Sequence, residues 1–556
     1  MSEEQPQHDT PQSVESSSTT PVIQYDDQID DSSYKHRDQK SKWTRARTGD
    51  RSNDKKRARR EIAQERRKNE YEQKNSTPYV PRLDENGQPI PKSERKPKKK
   101  CAVMIGYCGT GYNGMQLQND PAIKTIERDI YEAMARAGAI SPENADDIKK
   151  SGFMRAARTD KGVHAAGNVI SLKMIIEDPD IKDKINAELP DQIRIWGIQR
   201  TTKSFDCRKL CSSRVYEYLL PTYSLLPPKP TTVMAELVKS KRASNPDLFH
   251  PDPEGEAWWA ATNQKILDAG ISQSQLDSIG TAIESELPGS STATPTPTPT
   301  IDPESGELTT YGKTLKSIKQ IETQSRRAYR IPNNRLSQFR SAMEQYQGTH
   351  NFHNFTIGKS FKDQSAQRYI ISTKVSDPFV IEGTDTEWIS IRIHGQSFML
   401  HQIRKMVSMA SMVVRIGCPV EIIQDFFNKE KINIPKAPAL GLLLENPVFD
   451  AYNQMLTKLE YDPIEFGKYD EEMEKFKMKF IYDKIYAEEA KENVFYGFFG
   501  FVDTRSLGGN GNTNTVDSEG ERSEGTSVFD FLLNYTKRKE QEAAAETAAK
   551  QENKDD

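Results

Sequence analysis

RAARTDKGVHA, residues Arg155 to Ala165, sets one carboxylate, Asp160, among Arg155, Arg158, Lys161 and His164. Gly162 supplies the freedom for a tight turn, and the NVISLKMII that follows at 168–176 reads as a strand. An acid ringed by cations therefore sits at the tip of a loop that feeds a sheet.

Regular patterns continue on both sides of this loop. CAVMIGY, 101–107, is a continuous apolar run of strand length. KTIERDIYEAMARAG then places Ile126, Ile130, Met134 and Ala137 at helical spacing and stops at Gly138, a C-cap signal. IRIWGIQRT at 193–201 and VYEYLLPTY at 215–223 read as further strands. From about 227 the character changes, and STATPTPTPTIDP at 291–303 is a Pro/Thr run expected to stay flexible. The helical patches WWAATNQKILDA and LDSIGTAIESEL flank it. A helix over RLSQFRSAMEQYQG, strands over RYIISTKVSD and WISIRIHGQSF, and a long helix over MLHQIRKMVSMASMVVRIG follow, before a last apolar run, FYGFFGFVD. Two runs of strands with helices between them imply an α+β domain on one mixed sheet.

The ends of the chain differ from this body. Residues 1–99 are polar, lack periodicity and are expected to be disordered, as is most of the polar tail, 507–556. The body divides into a first half, 100–226, a partly disordered insertion, 227–325, and a second half, 326–506. A net charge of −3 over 556 residues hides KKRARR at 55–60, ERRK at 65–68 and RKPKKK at 95–100. Three basic runs in one arm point to nuclear import and to a nucleic-acid partner. MSEEQPQHDT has no apolar signal core, and no apolar stretch reaches the ~18 residues that span a bilayer. Five scattered cysteines suit free thiols in a reducing compartment, so a soluble intracellular protein is expected.

Several motifs compete as chemistry. Gly109-Thr-Gly-Tyr-Asn-Gly114 is a literal GxGxxG after a strand, but Pro121 prevents a helix from opening at the glycines. Dinucleotide binding is therefore set aside, and the glycines are read as shaping a tight loop. Cys207 with Cys211, and His350 with His353, have spacings compatible with zinc, yet nothing in the element order joins the pairs. Arg404 lies with His401, Ser408 and Arg415 on the polar stripe of the long helix, which by itself reads as a solvated face. Tyr216 shares a strand face with Arg214 and Tyr218. Asp160 is either a surface ion-pair partner or a working carboxylate whose charge the neighbouring cations favour.

The segments GYCGTGYNGMQ, RAARTDKGVHA, FDCRKLCSSRVYEYLLPTY, GTHNFHNFT, SFMLHQIRKMV and PKAPALGLLLENPVF, in this order, resemble the successive motifs of TruA-type tRNA pseudouridine synthases. The likeness covers roughly 100–503, and the basic arm and insertion place it with the eukaryotic, fungal branch. It implies a pseudouridine synthase fold, a mixed, mostly antiparallel sheet from two ferredoxin-like halves, and isomerisation of uridine in tRNA. It further implies targets in and near the anticodon stem–loop, with small nuclear RNA and mRNA as further substrates. Asp160 matches the essential aspartate, which attacks the nucleotide or removes a proton. Arg158 matches the arginine that holds the base out of the stack. Tyr216 matches the tyrosine that packs on the uracil and takes part in moving the C5 proton, and Arg404 the residue that pairs with the aspartate in a dry site. Lys161, where bacterial relatives carry a small neutral residue, is expected to contact phosphate, and His164 to contact phosphate or position the loop. No cofactor is needed for the chemistry. The resemblance also implies one zinc ion, whose ligands the sequence does not identify, a monomer and a nuclear location. The competing reading is an RNA-binding or chaperone protein that keeps the scaffold without activity.

Overall fold

In the computed structural model the described residues are 96–246, 249–276, 308–381 and 383–504, with short pieces at 515–516, 522–523 and 526–534. Both basic runs at 55–68, the Pro/Thr run and most of LDSIGTAIESEL lie outside them. Every element below belongs to the compact unit that begins at Lys98.

β1 (Lys99–Tyr107) is buried on both faces from Cys101 onward, which is why it reads as an unbroken apolar run. α1 (Ile126–Arg136) buries Ile126, Ile130 and Met134, and Gly138 ends it at φ +80°. β2 (Met154–Arg155), β3 (His164–Met174), α2 (Ile181–Glu188) and β4 (Ile193–Arg200) complete the first half. Its strands lie in the order β4-β1-β3-β2, all neighbours antiparallel. Numbered along the half, that is 4-1-3-2.

β5 (Ser213–Pro221), which the sequence division at 226 put in the first half, belongs by pairing to the second, because both strands that flank it in the sheet lie there. The insertion holds α3 (Val233–Ser244), α4 (Pro253–Asp268) and α5 (Thr310–Arg327). Ile266, Ile271, Leu276 and Ile318 give it a small core of its own. More of the insertion is therefore regular than its composition suggests, because α4 and α5 bury apolar residues against each other. Then come α6 (Asn333–Glu344), β6 (Gly348–Asn351), β7 (Gln367–Val375), β8 (Phe379–Val380), β9 (Glu387–Gly395), α7 (Gln402–Ile416) and β10 (Leu442–Val448). β10-β5-β9-β7 again runs 4-1-3-2 and is again antiparallel. The two ferredoxin-like halves are thus borne out by strand order, although no sequence repeat announces them.

One ten-stranded sheet joins the halves, because β10 also pairs with β3, parallel, through Leu443 opposite His164 and Leu444 opposite Ala165. The same strand β3 pairs with β2 further along, at Ile170 and Ser171. The loop bearing Asp160 leaves β2 and enters β3 where β10 docks, at the seam of the halves.

α7 departs from the sequence expectation. Its polar stripe is not solvated: all 15 of its residues are buried. Arg415 shows how this is tolerated, since it donates to Leu226 O at 2.7 Å and pairs with the buried Asp503. On the face opposite Tyr216, Glu217 is buried beside Lys477 at 3.5 Å and accepts from Tyr482 Oη at 2.6 Å. Lys477 also meets Glu445 at 3.0 Å, so the π-helical turn Lys477–Tyr482 is pinned beneath the sheet. α8 (Asp450–Lys458), α9 (Asp470–Phe476), α10 (Asp483–Glu492) and α11 (Val494–Thr504) follow β10 in sequence. Among the described residues, no helix is long and apolar enough to cross a membrane.

Candidate active site

The loop 156–163 is held from several sides. Asn168 Nδ2 donates to Ala157 O at 3.1 Å, and Arg214 Nη2 donates to Ala156 O at 2.8 Å. Thr159 is buried: its hydroxyl lies 2.9 Å from Tyr107 Oη, and its carbonyl accepts from Met115 N at 3.2 Å. Gly162, at φ +75°, donates to Tyr112 O at 3.3 Å, and Val163 N closes the turn onto Asp160 O at 3.1 Å.

The glycine motif that failed as a dinucleotide fingerprint has its role here. A Cβ on Gly109 would stand 2.2 Å from Val163 O, and one on Gly114 would stand 2.9 Å from Thr159 O. Two bare backbones meet, and the glycine loop backs the aspartate loop.

In front of Asp160 opens a cleft of about 650 Å³. Its wall includes Arg158, Arg208, Arg214, Tyr216, Phe398 and His401. The first half supplies the aspartate loop, β5 supplies Tyr216, and the segment entering α7 supplies His401. Tyr216 is buried, with the Phe398 ring edge-on at 5.1 Å and 78°. Burial pushes its phenol up to about 12, and the Asp160 charge adds to the rise while Arg214 opposes it. Arg155 also borders the cleft but is committed to an ion pair with the buried Glu127, whose carboxyl is raised by burial against that pairing. Arg158 is exposed at the cleft.

Asp160 departs from expectation in one respect. Its side chain is 37% exposed, so the site is not dry in the free protein; the open cleft admits water until a substrate fills it.

Arg404 is buried, and its Nε donates to Ala437 O at 2.5 Å. It lines a second cavity, of about 840 Å³, with Lys161 and Gly162, the two residues after Asp160. The sequence-derived set is therefore gathered around one loop, with Arg158 and Tyr216 on the cleft side and Arg404 and Lys161 on the other cavity. His164 stands apart from both. It is fully buried in β3, and its Nδ1 accepts from Gly109 N at 3.1 Å. Burial pushes its imidazole down to about 4, so it is neutral and ties the glycine loop to the sheet.

Sequence reasoning singled out no role for His401. Its Nε2 lies 3.9 Å from Asp160 Oδ2, and its backbone sits at φ +62°. The signal was its place three residues before Arg404 in the motif HQIR.

No cluster of three or more His, Cys, Asp or Glu able to hold a metal forms among the described residues. Cys207 Sγ is turned to Met154 O at 3.3 Å, and His350 stacks on Phe427 at 4.2 Å. These residues do not fit the zinc that the resemblance implies.

Residues 342–450 match a family model described as tRNA pseudouridine synthase. A Candida albicans protein, tRNA pseudouridine synthase 1, is 65% identical over 476 residues, covering 85% of this chain and 76% of the relative. Its Saccharomyces cerevisiae namesake is 48% identical over 510 residues, 91% of this chain and 88% of the relative. A second S. cerevisiae protein, tRNA pseudouridine(27/28) synthase, is 39% identical over 398 residues, 71% of this chain and 97% of the relative.

Proposed function

The chain belongs to the tRNA pseudouridine synthase family and isomerises uridine in tRNA to pseudouridine, and we propose that Asp160 is the nucleophile of that reaction. The reaction conserves atoms and electrons, so it needs no cofactor. It breaks the bond from C1′ to N1, turns the uracil and rejoins it at C5.

A uridine in a stem must first leave the stack, at a cost of a few kcal/mol. Arg158, exposed at the cleft, holds the gap it leaves. The wall of Tyr216 and Phe398 receives the uracil, and such stacking offsets about 1–3 kcal/mol per base. Filling the cleft removes water from Asp160, which attacks C1′. Arg404 pairs with the carboxylate and compensates its charge as the site dries. Lys161, exposed beside it, contacts phosphate, and His164 positions the loop from within the sheet. The observation that carries this reading is the placement of Asp160: a loop held from several sides at the seam, facing a cleft roomy enough for a nucleotide and lined by arginines and an aromatic pair.

The targets lie in and near the anticodon stem–loop, in keeping with a relative whose name cites 27/28, and extend to small nuclear RNA and mRNA. The protein works as a monomer in the nucleus, to which the basic runs of its arm direct it. Asp160→Asn tests the assignment. It should abolish tritium release from 5-tritiated uridine in tRNA while tRNA binding persists, and substantial turnover by the variant would sink the nucleophile.

A further inference from the structure

We propose that His401 is the base that removes the C5 proton in the last step of the isomerisation, an inference that rests on Asp160 as nucleophile. Once the uracil has turned, C5 occupies the place that N1 held, bonded to C1′ beside the aspartate. C5 is then saturated and carries both the sugar and a hydrogen. The acceptor of that hydrogen must stand next to Asp160, and His401 Nε2 is 3.9 Å from its Oδ2.

The backbone reinforces the point. His401 adopts φ +62° and ψ 1°, a left-handed conformation that costs a non-glycine residue of order 1–3 kcal/mol. That turn ends the segment entering α7 and sets the imidazole at the cleft, with only 9% of the side chain exposed. Such strain gathers at functional sites, where the surrounding structure holds it.

Tyr216 is the rival acceptor. With its phenol raised to about 12, only ~10⁻⁵ of it is ionised at neutral pH. An imidazole, with an ordinary pKa of about 6.5, accepts a proton there far more readily. Asp160, 3.9 Å away, stabilises the imidazolium as it forms, and Arg158, Arg208 and Arg214 line the same cleft.

The step balances. Asp160 leaves C1′ as a carboxylate when the bond from C1′ to C5 forms. The bond from C5 to hydrogen then breaks, and its pair becomes the C5–C6 double bond. The proton goes to His401 Nε2 and onward to solvent, while N1 takes up one proton from water.

His401→Asn, a side chain that tolerates the left-handed region, is the first test. With a tRNA carrying 5-deuterated uridine, its rate should fall about 10²-fold or more. tRNA binding should hold, and a primary isotope effect larger than that of the wild type should emerge. His401→Gly, unstrained at this φ, should regain activity with added imidazole. Tyr216→Phe should show no such rise in the isotope effect, whatever its rate. His401→Asn at the wild-type rate, or slowed without the isotope effect, overturns the proposal. So does a His401→Gly enzyme that binds tRNA and ignores imidazole. Asp160→Asn separates the two readings: if it is inert while His401→Asn is normal, only the base assignment falls.

Discussion

Replacing Gly109 by alanine should slow pseudouridine formation by about 10²-fold without a matching loss of tRNA affinity. Gly109 is buried, and a Cβ there would stand 2.2 Å from Val163 O and 2.6 Å from Val163 C. Ordinary contact begins at 3.4 Å, so about 1 Å of backbone must yield. The yielding side is the aspartate loop, because β1, which leads into Gly109, is locked between β3 and β4. An ångström of misplacement in a reacting group costs about 10² in rate. Overpacking of this kind costs about 1–3 kcal/mol of stability, which a large core withstands. The measurement is single-turnover pseudouridine formation in tRNA, with filter binding and thermal unfolding in parallel. Gly111→Ala is the control: φ is +84° but nothing lies within 4 Å, so it should lose about 1–2 kcal/mol and keep its rate. A folded Gly109→Ala enzyme turning over normally would refute the idea that the glycine loop positions Asp160.

Arg404→Leu should cripple the chemical step more than tRNA binding, and equal losses in single-turnover rate and affinity would recast Arg404 as a phosphate contact. Burial pushes the Glu489 carboxyl up to about 7, against 4.5 when exposed. Between those values the folded state holds a proton that the unfolded chain has lost, so stability falls as pH rises toward 7 and then levels off. Tyr223 Oη donates to one Glu489 oxygen and Phe495 N–H to the other; in Glu489→Gln the amide oxygen keeps the Phe495 bond, and the amide N–H can donate to a turned Tyr223 hydroxyl. Denaturant melts near pH 5 and pH 8 should show the variant without that slope and up to about 3 kcal/mol more stable at the higher pH, whereas parallel slopes would contradict the raised carboxyl. Deleting the residues before Lys92 should move a fluorescent fusion out of the nucleus, and unchanged nuclear accumulation would place the import signal elsewhere.

What the sequence made legible was what depends on local pattern. Cys101–Tyr107 announces β1 because both its faces are buried, and Gly138 marks the end of α1 because only a left-handed residue follows there. α7 was legible as a helix but not in its burial. Arg404 and Arg415 look like a solvated stripe, and the groups that accept from them, Ala437 O and Leu226 O, are 33 and 189 residues away in sequence. β10 escaped notice for a related reason. Its run, Leu442 to Val448, is interrupted by Glu445, Asn446 and Pro447, and Glu445 is tolerated because Lys477, at 3.0 Å, and Arg392, at 3.6 Å, both reach it. His401 was hidden by conformation, since no periodicity foretells that a histidine before a helix turns left-handed beside a carboxylate 241 positions earlier.

That separation explains why the site lies where it does. Asp160 is borne by a loop of the first half, whereas Tyr216, Phe398 and His401 are borne by the second. Neither half can assemble the cleft alone. What fixes the distance between them is β10, antiparallel to β5 beside Tyr216 and parallel to β3 at His164 and Ala165. Leu444 makes both connections, facing Tyr216 on one side and Ala165 on the other. The groups that line the cleft are therefore spaced by two adjacent strand pairings, each set to about 4.7–4.9 Å by backbone hydrogen bonds and so less adjustable than a contact between loops. An uncatalysed base flip leaves the nucleoside free to find many poses. On the proposed roles, a seam of this rigidity narrows that choice, holding the sugar toward the carboxylate while the turning uracil stays against the Tyr216 and Phe398 wall.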